Sequence, residues 1–360
     1  MVDPKDFVGK TIQDRYRVTR VLGQGGMGVV LEAIQLASGG TVAIKILTGA
    51  GKQRKSALRR FQRETRTAAA LGRPHVTEVY DVGRLETGEP YFVMERLHGG
   101  TLRQRLEREK FLSIQDLVST FVQLLTALEA VHQRGLVHRD IKPDNIFFAM
   151  NSGGGPPLIK IIDFGVVKLM NPARDERTPE EDAPITHTGI VVGTPAYVSP
   201  EQILTPRGVD GRADLWACGI SLYETITGRL PFNAPTAPML MLDILNVPAF
   251  PIRQLRRDCP EELERIVMTA LEKVPDKRYP DADSFRRELL SFWSAHRAAT
   301  QNESPLKRHA GSEDTGVSTE LPIVDLSKFA ALTPIGATPA ADRHTPAAPP
   351  SSNRKKNRTP

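Results

Sequence analysis

Two short segments of the sequence contain the residue types that phosphoryl transfer requires. Residues 138–145 read H-R-D-I-K-P-D-N, and D-F-G follows at 163–165. Asp140 is suited to orient a hydroxyl and accept its proton, and Lys142 to neutralise charge on a γ-phosphate. Asn145 and Asp163 supply hard oxygen ligands of the kind that Mg²⁺ takes in proteins. The two segments therefore indicate transfer of a phosphoryl group from a magnesium nucleotide to a hydroxyl.

A glycine-rich segment lies nearer the amino terminus, between two predicted strands. Residues 23–30 read G-Q-G-G-M-G-V-V, strand-like alternation continues over 29–34, and Lys45 lies in the strand after that. In a dinucleotide-binding fold such glycines would open a helix instead. We therefore predict a hairpin whose backbone N–H groups bind phosphates without obstruction from side chains. Val30 and Ala43 are placed to cover an adenine ring, although ordinary strand packing would also account for them.

Together these segments resemble the signature set of the protein kinases. The segment G-T-P-A-Y-V-S-P-E at 193–201 is similar to the family's A-P-E region, with Ser199 in place of an alanine. The resemblance runs from about Tyr16 to about Trp293 and is strongest to bacterial serine/threonine kinases of the eukaryotic-like type. It implies ATP as cofactor with Mg²⁺, or Mn²⁺ in its place, and proteins as substrates.

The resemblance also assigns residues to the nucleotide site. It implies ATP contacts from Leu22, Gly23, Gly25, Gly28, Val30, Ala43, Lys45, Met94, Glu95 and Leu97. The backbones of Glu95 and Leu97 would hydrogen-bond adenine at a hinge, with Met94 behind them. The ammonium of Lys45 needs a carboxylate partner, and we predict Glu64, the only acid in a segment with seven basic residues. Local surface pairing of Glu64 is the alternative.

Three further residues resemble structural residues of the family. Asp214 is similar to the helix residue that ties down the backbone of the catalytic loop. Glu201 and Arg278 are similar to a buried ion pair beneath the activation segment. Lys142 followed by Pro143 resembles serine/threonine kinases, since tyrosine kinases usually carry a different form of this loop.

Regulation by phosphorylation is expected in the long loop 163–201. Arg139 precedes the predicted base, and a guanidinium at that place favours a phosphate partner. Thr186 and Thr188 lie a few residues before Gly193, where the bacterial kinases that this chain resembles modify themselves, so we predict both as regulatory phosphosites. Autophosphorylation and a dimer through the small lobe follow from the same resemblance. An acidic patch earlier in the loop is an alternative source of negative charge; it consists of Asp175, Glu176, Glu180, Glu181 and Asp182.

Hydrophobic periodicity divides the chain into zones. Residues 16–97 alternate like strands, with strands at 41–47 and 90–95, around one predicted helix at about 56–71. Residues 98–296 show helical spacing, most clearly after Ser113, which is the predicted cap of a helix. We therefore predict an α+β fold of the bilobal protein-kinase type, with a small β-rich N-lobe and a larger helical C-lobe. Residues 1–15 are predicted to be an N-terminal lead, that is, a segment that precedes the folded domain. Residues 297–360, rich in proline, threonine and alanine with a basic end, are predicted to be a disordered tail.

Composition excludes several other classes of protein. The net charge of +6 over 360 residues mixes acids with bases, so nucleic acid is not an expected partner. Two cysteines do not make a disulfide framework and suit a reducing cytoplasm. The sequence shows no apolar run of the ~18–20 residues that a membrane span needs, and no signal-peptide core at its start. We expect a cytoplasmic chain without a membrane span.

Three hypotheses of different classes fit part of this pattern. An active protein kinase explains every motif. A pseudokinase scaffold would lack a catalytic group, yet Lys45, Glu64, Asp140, Asn145 and Asp163 are all present. A small-molecule phosphotransferase of related fold usually lacks the glycine loop and a segment like 193–201. We predict an active kinase, with the pseudokinase as the alternative.

Overall fold

The computed structural model describes residues 3–25, 28–47, 74–150, 153–163, 195–205 and 208–302. Its amino-terminal part is an antiparallel sheet with strand order β1-β2-β3-β4-β6-β5. The strands are β1 Thr11–Ile12, β2 Tyr16–Gly25, β3 Gly28–Gln35, β4 Thr41–Leu47, β5 Val79–Arg84 and β6 Pro90–Glu95. Strands β4 and β6 have the predicted bounds, because their alternating apolar residues are bounded by turn-forming segments.

The two faces of this sheet differ in what they contact. Leu31, Ile44 and Val93 lie on one face, fully buried in the core of the small lobe. Side chains alternate between faces along a strand. The residues next to them in sequence, including Ala43 and Lys45, therefore lie on the opposite face, which is the face predicted to bind nucleotide.

The sheet begins inside the predicted lead of residues 1–15. Strand β1 pairs with β2 through Thr11 opposite Arg17 and Ile12 opposite Tyr16. Ile12 is buried and Phe7 packs against the same core. These apolar side chains stabilise the first strand against the lobe, so the small lobe includes residues before Tyr16.

The carboxyl-terminal part is mostly helical. A small sheet of order β7-β8-β9 lies at its edge, formed by β7 Gly99–Thr101, β8 Ile146–Ala149 and β9 Leu158–Ile161. The helices within the described residues are α1 Leu102–Glu109, α2 Ile114–His132, α3 Pro200–Leu204, α4 Arg212–Thr227, α5 Ala237–Asn246, α6 Ile252–Leu255, α7 Glu261–Ala270 and α8 Ala282–Asn302. Strands β8 and β9 connect the two segments predicted to carry the chemistry.

Helix α2 is the central helix of the large lobe. It begins where predicted, because the Ser113 Oγ accepts a hydrogen bond from the Asp116 N–H at 3.1 Å. Gly135, with φ 68°, follows its end. In the part of the chain that the structure describes, α2 is the one helix long and apolar enough to cross a membrane. Two thirds of that stretch is buried inside the lobe, so its apolar residues form protein core.

Helix α8 continues beyond the predicted end of the domain at residue 296. It ends at Asn302, since Ala298 and Ala299 favour helix and the next proline is Pro305. The first residues of the predicted tail are therefore helical. Residues 303–360, the predicted helix at 56–71 and the loop 164–194 lie outside the described residues.

The predicted ion pair between Glu201 and Arg278 is present. Both nitrogens Nη1 and Nη2 of Arg278 donate to the Glu201 carboxylate at 2.8 Å. The Arg278 side chain is 0% exposed and lies over the ring of Trp216, 5.0 Å from its centroid. The pair joins α3 to the residues that precede α8.

We predict that Arg278→Met destabilises the protein strongly, since it leaves the Glu201 carboxylate in a largely buried site without its partner. The expected loss is about 3–5 kcal/mol of unfolding free energy, measured by urea denaturation. The matched control is Arg265→Met on α7, whose pairs with Glu262 and Glu288 are half exposed and should contribute less than about 1 kcal/mol. Equal losses in the two variants would contradict this account.

Candidate active site

The predicted catalytic residues of the loop 138–145 lie together. The Asp140 Oδ2 accepts hydrogen bonds from the Lys142 Nζ at 2.8 Å and from the Asn145 Nδ2 at 2.9 Å. Lys142 and Asn145 are buried, whereas Asp140 is only partly buried. Two donors thus orient the Asp140 carboxylate, and part of its surface stays open to a hydroxyl, as a base requires.

The fully buried carboxylate of Asp214 anchors this loop. It accepts the backbone N–H of His138 at 2.8 Å and of Arg139 at 2.7 Å, and it bonds the His132 Nε2 at 2.8 Å. Burial alone would raise the pKa of the Asp214 carboxyl, but these bonds hold the pKa below its ordinary value. The predicted role of Asp214 is confirmed, and His132 on α2 is an additional member of the anchor.

Two non-glycine residues of the site have left-handed backbone conformations. They are Arg139, with φ 67°, and Asp163, with φ 62°. Such conformations cost about 1–3 kcal/mol each and persist where the surroundings fix them. The hydrogen bond to Asp214 fixes the backbone of Arg139. The residue before Asp163 is Ile162, whose N–H donates to the backbone oxygen of Asn145 at 3.0 Å. Arg139 lies directly before the predicted base and Asp163 is the predicted metal ligand, which supports a functional site here.

Within the described residues, Lys45 is paired with Asp163. Its Nζ lies 2.5 Å from the Asp163 Oδ2, and the Lys45 side chain is 8% exposed. A buried ammonium requires a nearby carboxylate, and Asp163 supplies it within the described residues. Glu64 lies outside those residues and stays a prediction. The Lys45–Asp163 pair brings strand β4 of the small lobe against the end of β9 in the large lobe.

Strand register gathers the residues predicted to contact adenine. Val30 lies opposite Lys45 on neighbouring strands, and Ala43 lies opposite Met94. These four residues share the sheet face that points away from the small-lobe core. Leu22 lies on β2 beside Gly23, which is paired with Val30, and Glu95 and Leu97 stand where β6 leads toward β7.

The glycines of the predicted phosphate loop differ in whether the fold itself requires a residue without a side chain. A Cβ at Gly28, which has φ 147°, would lie 2.0 Å from the backbone oxygen of Ile46, so the fold itself needs glycine there. A Cβ at Gly23 or Gly25 would meet no described atom within 4 Å. Packing against the described residues therefore does not require glycine at these two positions. Gly26 and Met27 lie outside the described residues.

The donor set at Asn145 and Asp163 suits a hard cation that also takes oxygens from its substrate. The amide nitrogen of Asn145 is bonded to Asp140, which leaves its Oδ1 to act as a ligand. No cluster of three or more histidine, cysteine, aspartate or glutamate side chains able to hold a metal occurs among the described residues. One carboxylate and one amide oxygen fit Mg²⁺, which usually completes its shell with phosphate and water.

Sequence reasoning missed a polar cluster beside the catalytic loop. The Arg103 guanidinium on α1 donates to Glu224 at 2.6 Å, to the Tyr197 hydroxyl at 2.6 Å and to Asp144 at 3.4 Å. The Tyr197 hydroxyl also donates to Glu224 at 2.6 Å. Arg103 is 94 residues from Tyr197 and 121 from Glu224, so no local spacing in the sequence could reveal this cluster.

Comparison with known proteins identifies the family. The family profile described as "Protein kinase domain" matches residues 16–289. The chain belongs to the protein kinase family. It is 38% identical over 282 residues to the serine/threonine-protein kinase Pkn1 of Myxococcus xanthus, covering 78% of this chain and 38% of Pkn1. It is 32% identical over 344 residues to PrkC of Bacillus subtilis strain 168, covering 94% of this chain and 49% of PrkC.

This kinase chain thus spans about half or less of the length of these relatives. Both are named as serine/threonine kinases, which gives no support to the pseudokinase alternative. Among solved structures, the kinase domain of Mycobacterium tuberculosis PknI is similar, with a TM-score of 0.60 and 26% identity over 81% of this chain and 99% of that domain. The predicted family and the bilobal fold are confirmed.

We predict that Asp214→Asn lowers stability at neutral pH and makes it less sensitive to acid. The pKa of Asp214 is lower in the folded protein than in the unfolded chain, where it is about 3.9. Its carboxylate therefore stabilises the fold fully above that value, and the contribution is lost as pH falls through the folded pKa. Urea denaturation between neutral and strongly acidic pH measures this. Asp276→Asn, which changes an exposed carboxylate, is the control, and an unchanged slope in Asp214→Asn would refute the assignment.

Proposed function

We propose that this chain is a serine/threonine protein kinase that transfers the γ-phosphoryl group of Mg-ATP to serine and threonine hydroxyls of proteins. The observation that carries the proposal is the Asp140 carboxylate, held by Lys142 and Asn145 on a loop anchored by Asp214. The names of the relatives support this activity and the class of acceptor.

Nucleotide binding is assigned to the cleft between the two sheets. The backbones of Glu95 and Leu97 would hydrogen-bond adenine, and Val30 and Ala43 would cover the ring. The open backbone around Gly23 and Gly25 would receive the phosphates, as with other glycine-rich phosphate loops. The buried Lys45 ammonium would contact the same phosphates, since Asp163 already holds it at the edge of this cleft.

Asn145 and Asp163 would hold the metal ion. When bound, Mg²⁺ neutralises charge on the phosphates and orients them for transfer. The protein's own part is to present one amide and one carboxylate oxygen from adjacent positions, since the backbone bond between Asn145 and Ile162 keeps β8 and β9 in register.

The proton of the acceptor hydroxyl would pass to Asp140. Its carboxylate is hydrogen-bonded to Lys142, so the Lys142 ammonium lies close to any hydroxyl bound by Asp140 and to the phosphoryl group that approaches it. Asn145 keeps the carboxylate oriented. Lys142 thus neutralises the transferred group while Asp140 orients the nucleophile, which is the division of roles that phosphoryl transfer requires.

Autophosphorylation, self-association through the small lobe and a cytoplasmic location belong to the same proposal. The first two rest on the resemblance to bacterial kinases, with Thr186 and Thr188 ahead of residues 193–201, and the location rests on the two cysteines, which suit a reducing compartment. The proposed catalytic unit is the kinase domain of residues 16–296, extended by the strand before Tyr16 and by the end of α8.

We predict that Asp140→Asn, Lys45→Met and Asp163→Asn each abolish most transfer while the fold persists. Losing a positioned base or charge lowers kcat by about 10²–10⁴-fold. Asp163→Asn should also weaken metal-dependent nucleotide binding, because a charged ligand is lost. Transfer from radiolabelled ATP to a generic protein substrate measures the effect. The exposed Asp276→Asn serves as control, and near wild-type turnover in Asp140→Asn would show that another group is the base.

We predict that phosphorylation of Thr186 or Thr188 activates the enzyme. A phosphothreonine adds about −1.5 to −2 charges and three acceptor oxygens, and Arg139 next to the base is a cation it could pair with. Such pairing orders a loop and aligns the catalytic groups. The double variant Thr186→Ala/Thr188→Ala should lose most activity on an added substrate. Thr178→Ala, which changes a threonine earlier in the same loop, is the control and should retain activity. Full activity of the double variant would favour ordering by the acidic patch instead.

A further inference from the structure

A buried ion pair joins the hinge to the strand that leads to Asp163. The Lys160 Nζ on β9 lies 2.5 Å from the Glu95 Oε1 at the end of β6. The two side chains are 10% and 20% exposed and lie 65 residues apart in the sequence. The same Glu95 oxygen accepts the backbone N–H of Glu78 at 2.9 Å. The mechanism described above uses neither side chain.

Backbone bonds of residues 75–78 surround this pair. The Ile161 N–H donates to the His75 oxygen at 2.8 Å, and the Thr77 N–H donates back to the Ile161 oxygen at 3.1 Å. At the other end, the Glu95 N–H donates to the Glu78 oxygen at 2.9 Å. The segment 75–78 therefore lies between β9 and the hinge, and the ion pair spans it.

The Lys160–Glu95 ion pair connects two parts of the proposed nucleotide site, the adenine-binding hinge and the strand that leads to the metal ligand. Glu95 belongs to the hinge, whose backbone is proposed to bind adenine. Lys160 lies on β9, three residues before the proposed metal ligand Asp163, which lies just beyond the end of that strand. Pulling the hinge away from β9 would separate two largely buried charges, which is unfavourable. The pair therefore resists changes in the separation of the adenine and metal sites.

We propose that Lys160 and Glu95 are positioning residues that set the distance between the adenine-binding hinge and the metal-binding Asp163. This inference rests on the proposed function. Its consequence is specific, because a ligand that reaches only the hinge does not depend on that distance. Adenosine is such a ligand, whereas Mg-ATP contacts both ends of the site.

The test compares the binding of these two ligands in matched variants. The double variant Lys160→Met/Glu95→Gln removes both charges, so neither remains unpaired, and the side-chain amide introduced by Glu95→Gln keeps an oxygen for the Glu78 N–H. Lys160→Arg retains the charge. Arg15→Met removes one side of an exposed small-lobe pair with Asp81 and is the control. Dissociation constants for Mg-ATP and adenosine are measured by displacement of a fluorescent nucleotide, with circular dichroism to verify folding.

In the double variant we expect Mg-ATP to bind about tenfold more weakly, equivalent to about 1.4 kcal/mol, while adenosine changes by less than about twofold. Lys160→Arg and Arg15→Met should bind both ligands like the wild type. Equally weakened binding of both ligands would show that the pair supports only the hinge and would overturn the proposal. Unchanged binding of Mg-ATP, or failure of the double variant to fold, would overturn it as well. Wild-type protein that binds no Mg-ATP would overturn the proposed function as well.

Discussion

The burial of one negative charge organises this molecule. The Asp214 carboxylate is fully buried in the large lobe and is compensated by two backbone N–H groups and one histidine. A buried charge with incomplete hydrogen bonding is very unfavourable, so His138 and Arg139 are held in a single backbone conformation. That conformation includes the left-handed Arg139 and places Asp140 at the surface of the loop. The geometry of the proposed base therefore depends on a residue that is itself fully buried.

Other parts of the fold bring charged groups to this fixed loop. Helices α2 and α4 supply His132 and Asp214 from rigid, buried surroundings, while β8 and β9 set Asn145 beside the start of the D-F-G segment. The small lobe contributes Lys45 from a strand that is buried on both faces. The ion pair between Lys45 and Asp163 connects the two lobes at the edge of the cleft. The proposed catalytic groups thus come from both lobes, but the elements that carry them are stabilised by separate hydrophobic cores.

Much of this could be predicted from the sequence because the signals are local. Strands β4 and β6 and the start of α2 follow from alternation and from the Ser113 cap, and one short loop holds Asp140, Lys142 and Asn145. The pairs Arg103–Glu224 and Lys160–Glu95 could not be predicted, since they join residues 121 and 65 positions apart. Strand β1 was missed because two residues show no periodicity. Glu64, Thr186 and Thr188 remain predictions.

The measurement that most directly tests the central claim is phosphosite mapping by mass spectrometry. Purified protein is incubated with Mg-ATP and a generic protein substrate, with a reaction lacking nucleotide for comparison. We expect new phosphate on serine and threonine residues, and none on tyrosine. Absence of any incorporated phosphate under conditions where the protein binds Mg-ATP, or incorporation confined to tyrosine, would contradict it.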